Sequence, residues 1–121
     1  MAELDRQALQ VVVERLPDEI DLANADWVRA QLAGACVAGA IVVADMTGTT
    51  FCDSLGTQAL LTAARHARDL HCELRIASSA DTVLRVWQIL GADRLLEIYP
   101  TVAAAADAPA RPDGEQSPSL A

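Results

Sequence analysis

Lysine is missing altogether from this 121-residue chain: all nine cationic side chains are arginine. That absence excludes Schiff-base chemistry and a Walker-type phosphate loop, both of which need the amine. Basic character is scarce too. Seventeen acidic residues leave a formal net charge of −8, a poor match for nucleic acid, which is bound by basic stripes. An acidic surface suits a basic protein partner instead, with charge tuning the encounter more than the affinity. No apolar run approaches the roughly 18 to 20 residues of a membrane span. Residues 1–6 carry charges and lack the apolar centre of a signal peptide, so a cytoplasmic protein without membrane insertion is expected.

Aromatic residues are only 3% of the chain, although 52% is hydrophobic. Its core is therefore built from Ala, Val, Leu and Ile, with Trp27, Trp87 and Phe51 as the few large pieces. The three cysteines, Cys36, Cys52 and Cys72, form no CxxC pair and leave one over in any disulfide scheme. They read as free, mostly buried thiols. His66 and His71 do not stand at metal-binding spacing with them, and neither a metal nor another cofactor is expected.

Strands alternate with helices along the chain. Leu9 to Leu16, centred on three valines, reads as a strand, and Leu4 to Ala8 as a short preceding strand or lead-in. Pro17-Asp18-Glu19 turns the chain. Asn24 is placed to cap a helix carrying Trp27, Val28, Gln31 and Leu32, which Gly34 ends or weakens. Ala40 to Ala44 lacks polar alternation and reads as a central strand buried on both faces. From Ser54 a long helix presents Leu55, Ala59, Leu60, Ala63, Ala67 and Leu70 inward, with Arg65, His66, Arg68 and Asp69 on its wet side. Glu73 to Ala77 reads as a strand. Ser78 and Asp81 have capping-box spacing before a third helix through Val83, Leu84, Val86, Trp87 and Leu90, closed by Gly91. Leu95 to Tyr99 is a short last strand, and Thr101 to Ala108 an alanine-rich helix. One α/β domain over residues 1–108 follows, a mixed sheet of four to five strands packed on about four helices. Residues 109–121, rich in Pro, Asp, Gly and Ser, read as a disordered tail.

The segment Asp45-Met46-Thr47-Gly48-Thr49-Thr50-Phe51-Cys52-Asp53-Ser54-Leu55-Gly56 joins the buried strand to the long helix. It places a serine where free N–H groups and the positive end of the helix dipole collect. By position alone Ser54 reads as a cap. As the nucleophile of a G-x-S-x-G turn it lacks the first glycine, which is Cys52, and His66 lies about 18 Å along the helix at 1.5 Å per residue. An aspartyl-phosphate receiver built on Asp45 would want an early acidic pair and a late lysine, and neither is present.

The spacing Asp-x5-Phe-Cys-Asp-Ser-Leu-Gly resembles the signature of STAS domains, which in bacterial anti-sigma factor antagonists runs approximately D-L-x-x-V-x-F-[IMC]-D-S-S-G. Glu19-Ile20-Asp21 is similar to the family's G-E-[LI]-D segment, and the resemblance covers roughly residues 5 to 107. It implies that Ser54 is phosphorylated by an anti-sigma factor that is also a serine kinase. The unphosphorylated antagonist binds that kinase, phosphorylation breaks the complex and a PP2C-type phosphatase resets it. It further implies a non-enzymatic protein, a monomer when free, whose partner surface holds Asp21, Asp45, Asp53, Ser54, Leu55 and Gly56. Asp53 reads equally as a helix cap. The chain departs from the family in three places: Asp18 replaces a glycine, Leu55 replaces a second serine, and Thr57 occupies a commonly apolar position. Thr49 and Thr50 offer neighbouring hydroxyls. Two other functions fit the same residues: a STAS scaffold subunit of a transporter or sensory assembly, without phosphorylation, and an antagonist that responds to oxidation through Cys52 or Cys72.

Overall fold

A computed structural model of the chain describes residues 10–110. Its elements follow in order: β1 (Val11–Arg15), β2 (Glu19–Ile20), α1 (Ala25–Ala35), β3 (Ile41–Asp45), β4 (Phe51–Cys52), α2 (Ser54–Asp69), β5 (Glu73–Ala77), α3 (Asp81–Leu90), a 3-10 turn (Ala92–Arg94), β6 (Glu97–Tyr99) and α4 (Val102–Asp107). The main sheet has the order β1-β3-β5-β6, and every ladder is parallel, with Val11 opposite Ile41 and Ile41 opposite Glu73. A separate two-stranded ladder pairs β2 with β4. The α/β architecture read from the alternating pattern is the one found. β2 pairs forward with β4, not with β1, and the lead-in expected at Leu4 to Ala8 lies outside the described residues, as does Leu9.

β3 is central because its Ile-Val-Val-Ala run has no polar face to leave wet. Val42 and Ala44 point with Leu74 and Ile76 of β5 into the main core, where they meet Val28 and Leu32 of α1, Leu60, Ala63 and Ala67 of α2, and Val83 and Trp87 of α3. Ile41, Val43 and Ala77 point the other way, against Ala105 and its neighbours on α4. Three helices thus cover one face of the sheet and one short helix the other. Trp87 is the largest fully buried side chain.

Four local expectations change. Leu55 and Leu70 are exposed, not inward. The buried stripe of α2 runs through Gly56, Thr57, Ala59, Leu60, Ala63 and Ala67, and Leu55 stands one residue, about 100°, away from Gly56. Leu70 is already past the last helical turn. Asn24 holds the N-cap position of α1 without capping it. Its amide instead accepts from the Asp21 backbone and donates to the Glu19 carbonyl, pinning the turn out of β2. The Ser78–Asp81 capping box does not form. Ser78 still donates its N–H to the Tyr99 carbonyl, as an extension of the sheet, so α3 starts only at Asp81 after Ala80. Trp27 is half-exposed on α1 rather than a core piece.

Elsewhere the local chemistry holds. Gly91 closes α3 at φ 77°, a left-handed position that suits glycine. Thr101 caps α4 by accepting from the Ala104 N–H. The tail expected from residue 109 lies outside the described residues from 111 onward. No helix among the described residues is long and apolar enough to cross a membrane.

Candidate functional site

The β2–β4 ladder builds the site. Thr50 N–H donates to the Asp18 carbonyl at 2.8 Å and Asp53 N–H to the Ile20 carbonyl at 3.1 Å. These bonds lay Asp18 to Asp21 alongside Thr50 to Ser54. The chain then enters α2, whose first N–H groups need partners. Asp53 is the cap: its Oδ1 accepts from Gly56 N–H at 2.8 Å, and its carbonyl accepts from Thr57 N–H. Ser54 is left as the first helical residue, exposed, and its hydroxyl makes no hydrogen bond among the described residues. Of the two readings of this serine, the cap falls to its neighbour.

Gly56 lets the helix press onto β2. A Cβ there would meet Ile20 Cγ2 at 2.7 Å, and Cys52 Sγ and the Ile20 carbonyl at 3.0 Å. This close approach sets the helix on the ladder and swings Leu55 outward beside Ser54. Phe51, one residue before Cys52 on β4, is 46% exposed, as is Leu55, and Leu22 after Asp21 is 76% exposed. Apolar groups therefore accompany the acidic ones at this end of the molecule. Leu22 and Phe51 were not among the residues expected to bind a partner. Phe51 was read as core because large aromatics are so few, and only the two-residue ladder turns it outward.

The expected site residues separate into two groups. Asp21, Asp53, Ser54, Leu55 and Gly56 are gathered by the ladder and the helix start. Asp21 Oδ1 accepts from the Ala23 N–H and holds its own loop. Asp45 stands at the end of β3, where its carboxylate accepts from both the N–H and the hydroxyl of Thr47. No hydrogen bond joins it to the Ser54 turn. Thr49 is fully buried and donates to the Pro17 carbonyl at 2.7 Å, so it offers no accessible hydroxyl; Thr50 is exposed.

All three cysteines are free and buried. Burial pushes the Cys52 thiol up, a shift the Thr57 hydroxyl partly offsets and the Asp53 carboxylate reinforces. Cys36 and Cys72 touch one another, and burial together with that contact pushes Cys72 up to about 12. Thiols held protonated in this way are poor nucleophiles at neutral pH. Among the described residues no cluster of His, Cys, Asp and Glu is placed to hold a metal ion.

A family model for the STAS domain matches residues 5–105. The chain belongs to the STAS domain family. Among solved structures, this STAS domain is similar to that of the anti-sigma factor antagonist SpoIIAA in its unphosphorylated form. The TM-score is 0.64 at 22% identity, over 81% of this chain and 86% of that one. It is also similar to part of the murine anion transporter Slc26a9 in its inward-facing state, with a TM-score of 0.60 at 15% identity over 80% of this chain. The match spans only 17% of the transporter, so the domain corresponds to one small part of that protein. No curated protein sequence matches the chain. At these identities the likeness establishes the fold alone.

Proposed function

We propose that this STAS domain is a cytoplasmic anti-sigma factor antagonist, switched by phosphorylation at Ser54 and thereby regulating sigma-factor-dependent transcription. The observation that carries the reading is the exposed, unbonded Ser54 hydroxyl at the first position of α2, beside a cap that Asp53 already supplies. A kinase can take this hydroxyl without breaking any bond of the fold. The unphosphorylated domain docks on a serine-kinase anti-sigma factor through Asp21, Asp53, Ser54, Leu55 and Gly56, with Asp45 contributing charge from the end of β3. A phosphate on Ser54 adds about −1.5 to −2 charges next to the Asp21 and Asp53 carboxylates. That change repels an interface matched to the unmodified surface, and a PP2C-type phosphatase reverses it. The free antagonist is a monomer and performs no catalysis.

Phosphotransfer from the cognate kinase tests the reading. Wild type is expected to take label and Ser54→Ala none; equal labelling of both removes Ser54 from the mechanism. The likeness to a domain of an anion transporter supports a second reading, a scaffold subunit docked on a transporter ATPase through the same end. Affinity capture separates the two, since recovery of a permease–ATPase pair in place of a kinase-like protein favours the scaffold.

A further inference from the structure

Thr57, in the first turn of α2, is 2% exposed. Its hydroxyl donates to the Asp53 carbonyl at 2.8 Å. The same oxygen accepts from the indole N–H of Trp87 at 3.2 Å, and Trp87 is fully buried on α3. A threonine hydroxyl has one proton, and that proton is committed to Asp53. The direction of the chain is therefore fixed: Trp87 N–H to Thr57 O–H to Asp53 C=O. Cys52 Sγ lies 3.7 Å from the same oxygen and 3.8 Å from the Asp53 carbonyl, with one proton for the two. Asp53 in turn caps Gly56 through its side chain, one residue beyond the Ser54–Leu55 peptide. A second tie runs parallel to the first, from the Thr82 hydroxyl at the start of α3 to the Thr50 carbonyl at 2.7 Å. α3 thus grips the Thr50–Thr57 segment at both of its ends.

We infer that Trp87 is a positioning residue for the Ser54 turn, acting through Thr57, and that the same chain carries the charge state of Ser54 back to α3. In a buried, low-dielectric setting each bond of such a chain polarises the next, and a broken member leaves its neighbours unsatisfied. A negative charge on Ser54 competes with the Asp53 carboxylate for the N–H groups of the first turn. Any displacement of Asp53 is felt at Thr57 and then at the Trp87 indole. The inference shares with the proposed function only the placing of the functional hydroxyl at Ser54, and it holds whether or not a kinase is the partner.

The indole N–H resonances of the folded protein test it without any partner. Trp27→Phe assigns the two signals, and Ser54→Asp supplies the charge. The Trp87 indole signal is expected to move in Ser54→Asp, and to stay in place when the same change is made on Thr57→Val. Amide exchange at Gly56 is expected to accelerate about five- to tenfold in Thr57→Val relative to Ile76 in β5, and to return in Thr57→Ser, which restores the hydroxyl. A Trp87 signal unmoved by Ser54→Asp, or moved equally on the Thr57→Val background, overturns the relay. Uniform acceleration of Gly56 and Ile76 reduces Thr57 to packing and overturns the positioning role. Failure of kinase labelling with these shifts present would remove the proposed function and leave the relay standing.

Discussion

Two polar assemblies in this domain are built to opposite ends, one behind the sheet and one at its rim. Behind it, Arg75 on β5 is fully buried, and its guanidinium donates to the carbonyls of Ala105, Ala108 and Pro109 and to the Glu73 carboxylate at 2.9 Å. The Tyr99 ring centroid lies 5.9 Å from the same group. A cation there satisfies orphan carbonyls at the C-terminus of α4 and opposes the negative end of its dipole. Every direction of the guanidinium is used within the fold. At the rim, Trp87 donates to Thr57 and Thr57 to the Asp53 carbonyl, while the Asp53 carboxylate accepts from Gly56; these bonds end beside Ser54 and leave that hydroxyl exposed. The first assembly holds a helix in place. The second holds still a turn whose Ser54 hydroxyl faces outward without a bond. Both assemblies are satisfied within the fold; they differ in what they leave unbonded at the surface.

Substitutions sharpen that contrast. Arg75→Met is predicted to have the largest effect on stability, a loss of about 3–5 kcal/mol, because it breaks a buried ion pair and strips three carbonyls of their donor. Chemical denaturation measures the loss, and the folded fraction is expected to keep its Ser54-dependent binding. Gly56→Ala drives a Cβ into Ile20 and should cost about 1–3 kcal/mol, with partner binding impaired as the helix start lifts off β2. Asp53→Ala removes a cap and should lower stability by about 0.5–2 kcal/mol, readable as a drop in Tm. Ser54→Ala lies at the other extreme. Its stability is expected within about 0.5 kcal/mol of wild type while phosphotransfer disappears. A large destabilisation by Ser54→Ala would erase the distinction between the two assemblies.

The smallest effect at neutral pH concerns the thiols. The fold holds Cys72 protonated up to about 12 against an ordinary value of 9.0, so between those values the unfolded chain binds fewer protons than the folded one. Stability is therefore whole below pH 9 and falls as the pH rises toward 12. A denaturation series from pH 7 to pH 11 should show the decline, and Cys72→Ala should make it shallower, with the part due to Cys36, Cys52 and Tyr99, whose protons the fold also holds, remaining.

The strands and helices were readable wherever periodicity had room to show itself. β3 was evident as an apolar run, Glu73 to Ala77 as a strand, and α2 as a long amphipathic helix beginning at Ser54. β4 was not, because two residues carry no period, and its pairing with β2 is what turns Phe51 outward and brings Asp21 to the Ser54 turn. The inward assignment of Leu55 failed for a related reason: the close contact of Gly56 with Ile20 fixes the rotation of α2, and no helical repeat encodes a contact across the fold. Ser78 matched a capping pattern but was claimed by the sheet through Tyr99. The acidic residues and serine of the site were visible as a spacing, whereas the grip of α3 on that turn depends on Thr57 and Trp87, thirty residues apart in sequence and joined only by folding.

Titration of the cognate kinase with wild type, Ser54→Ala and Ser54→Asp tests the central claim most directly. Equal affinity is expected for wild type and Ser54→Ala, and at least tenfold weaker binding for Ser54→Asp, which a charge-dependent interface loses for about 1.4 kcal/mol. Equal affinity for all three proteins would contradict it.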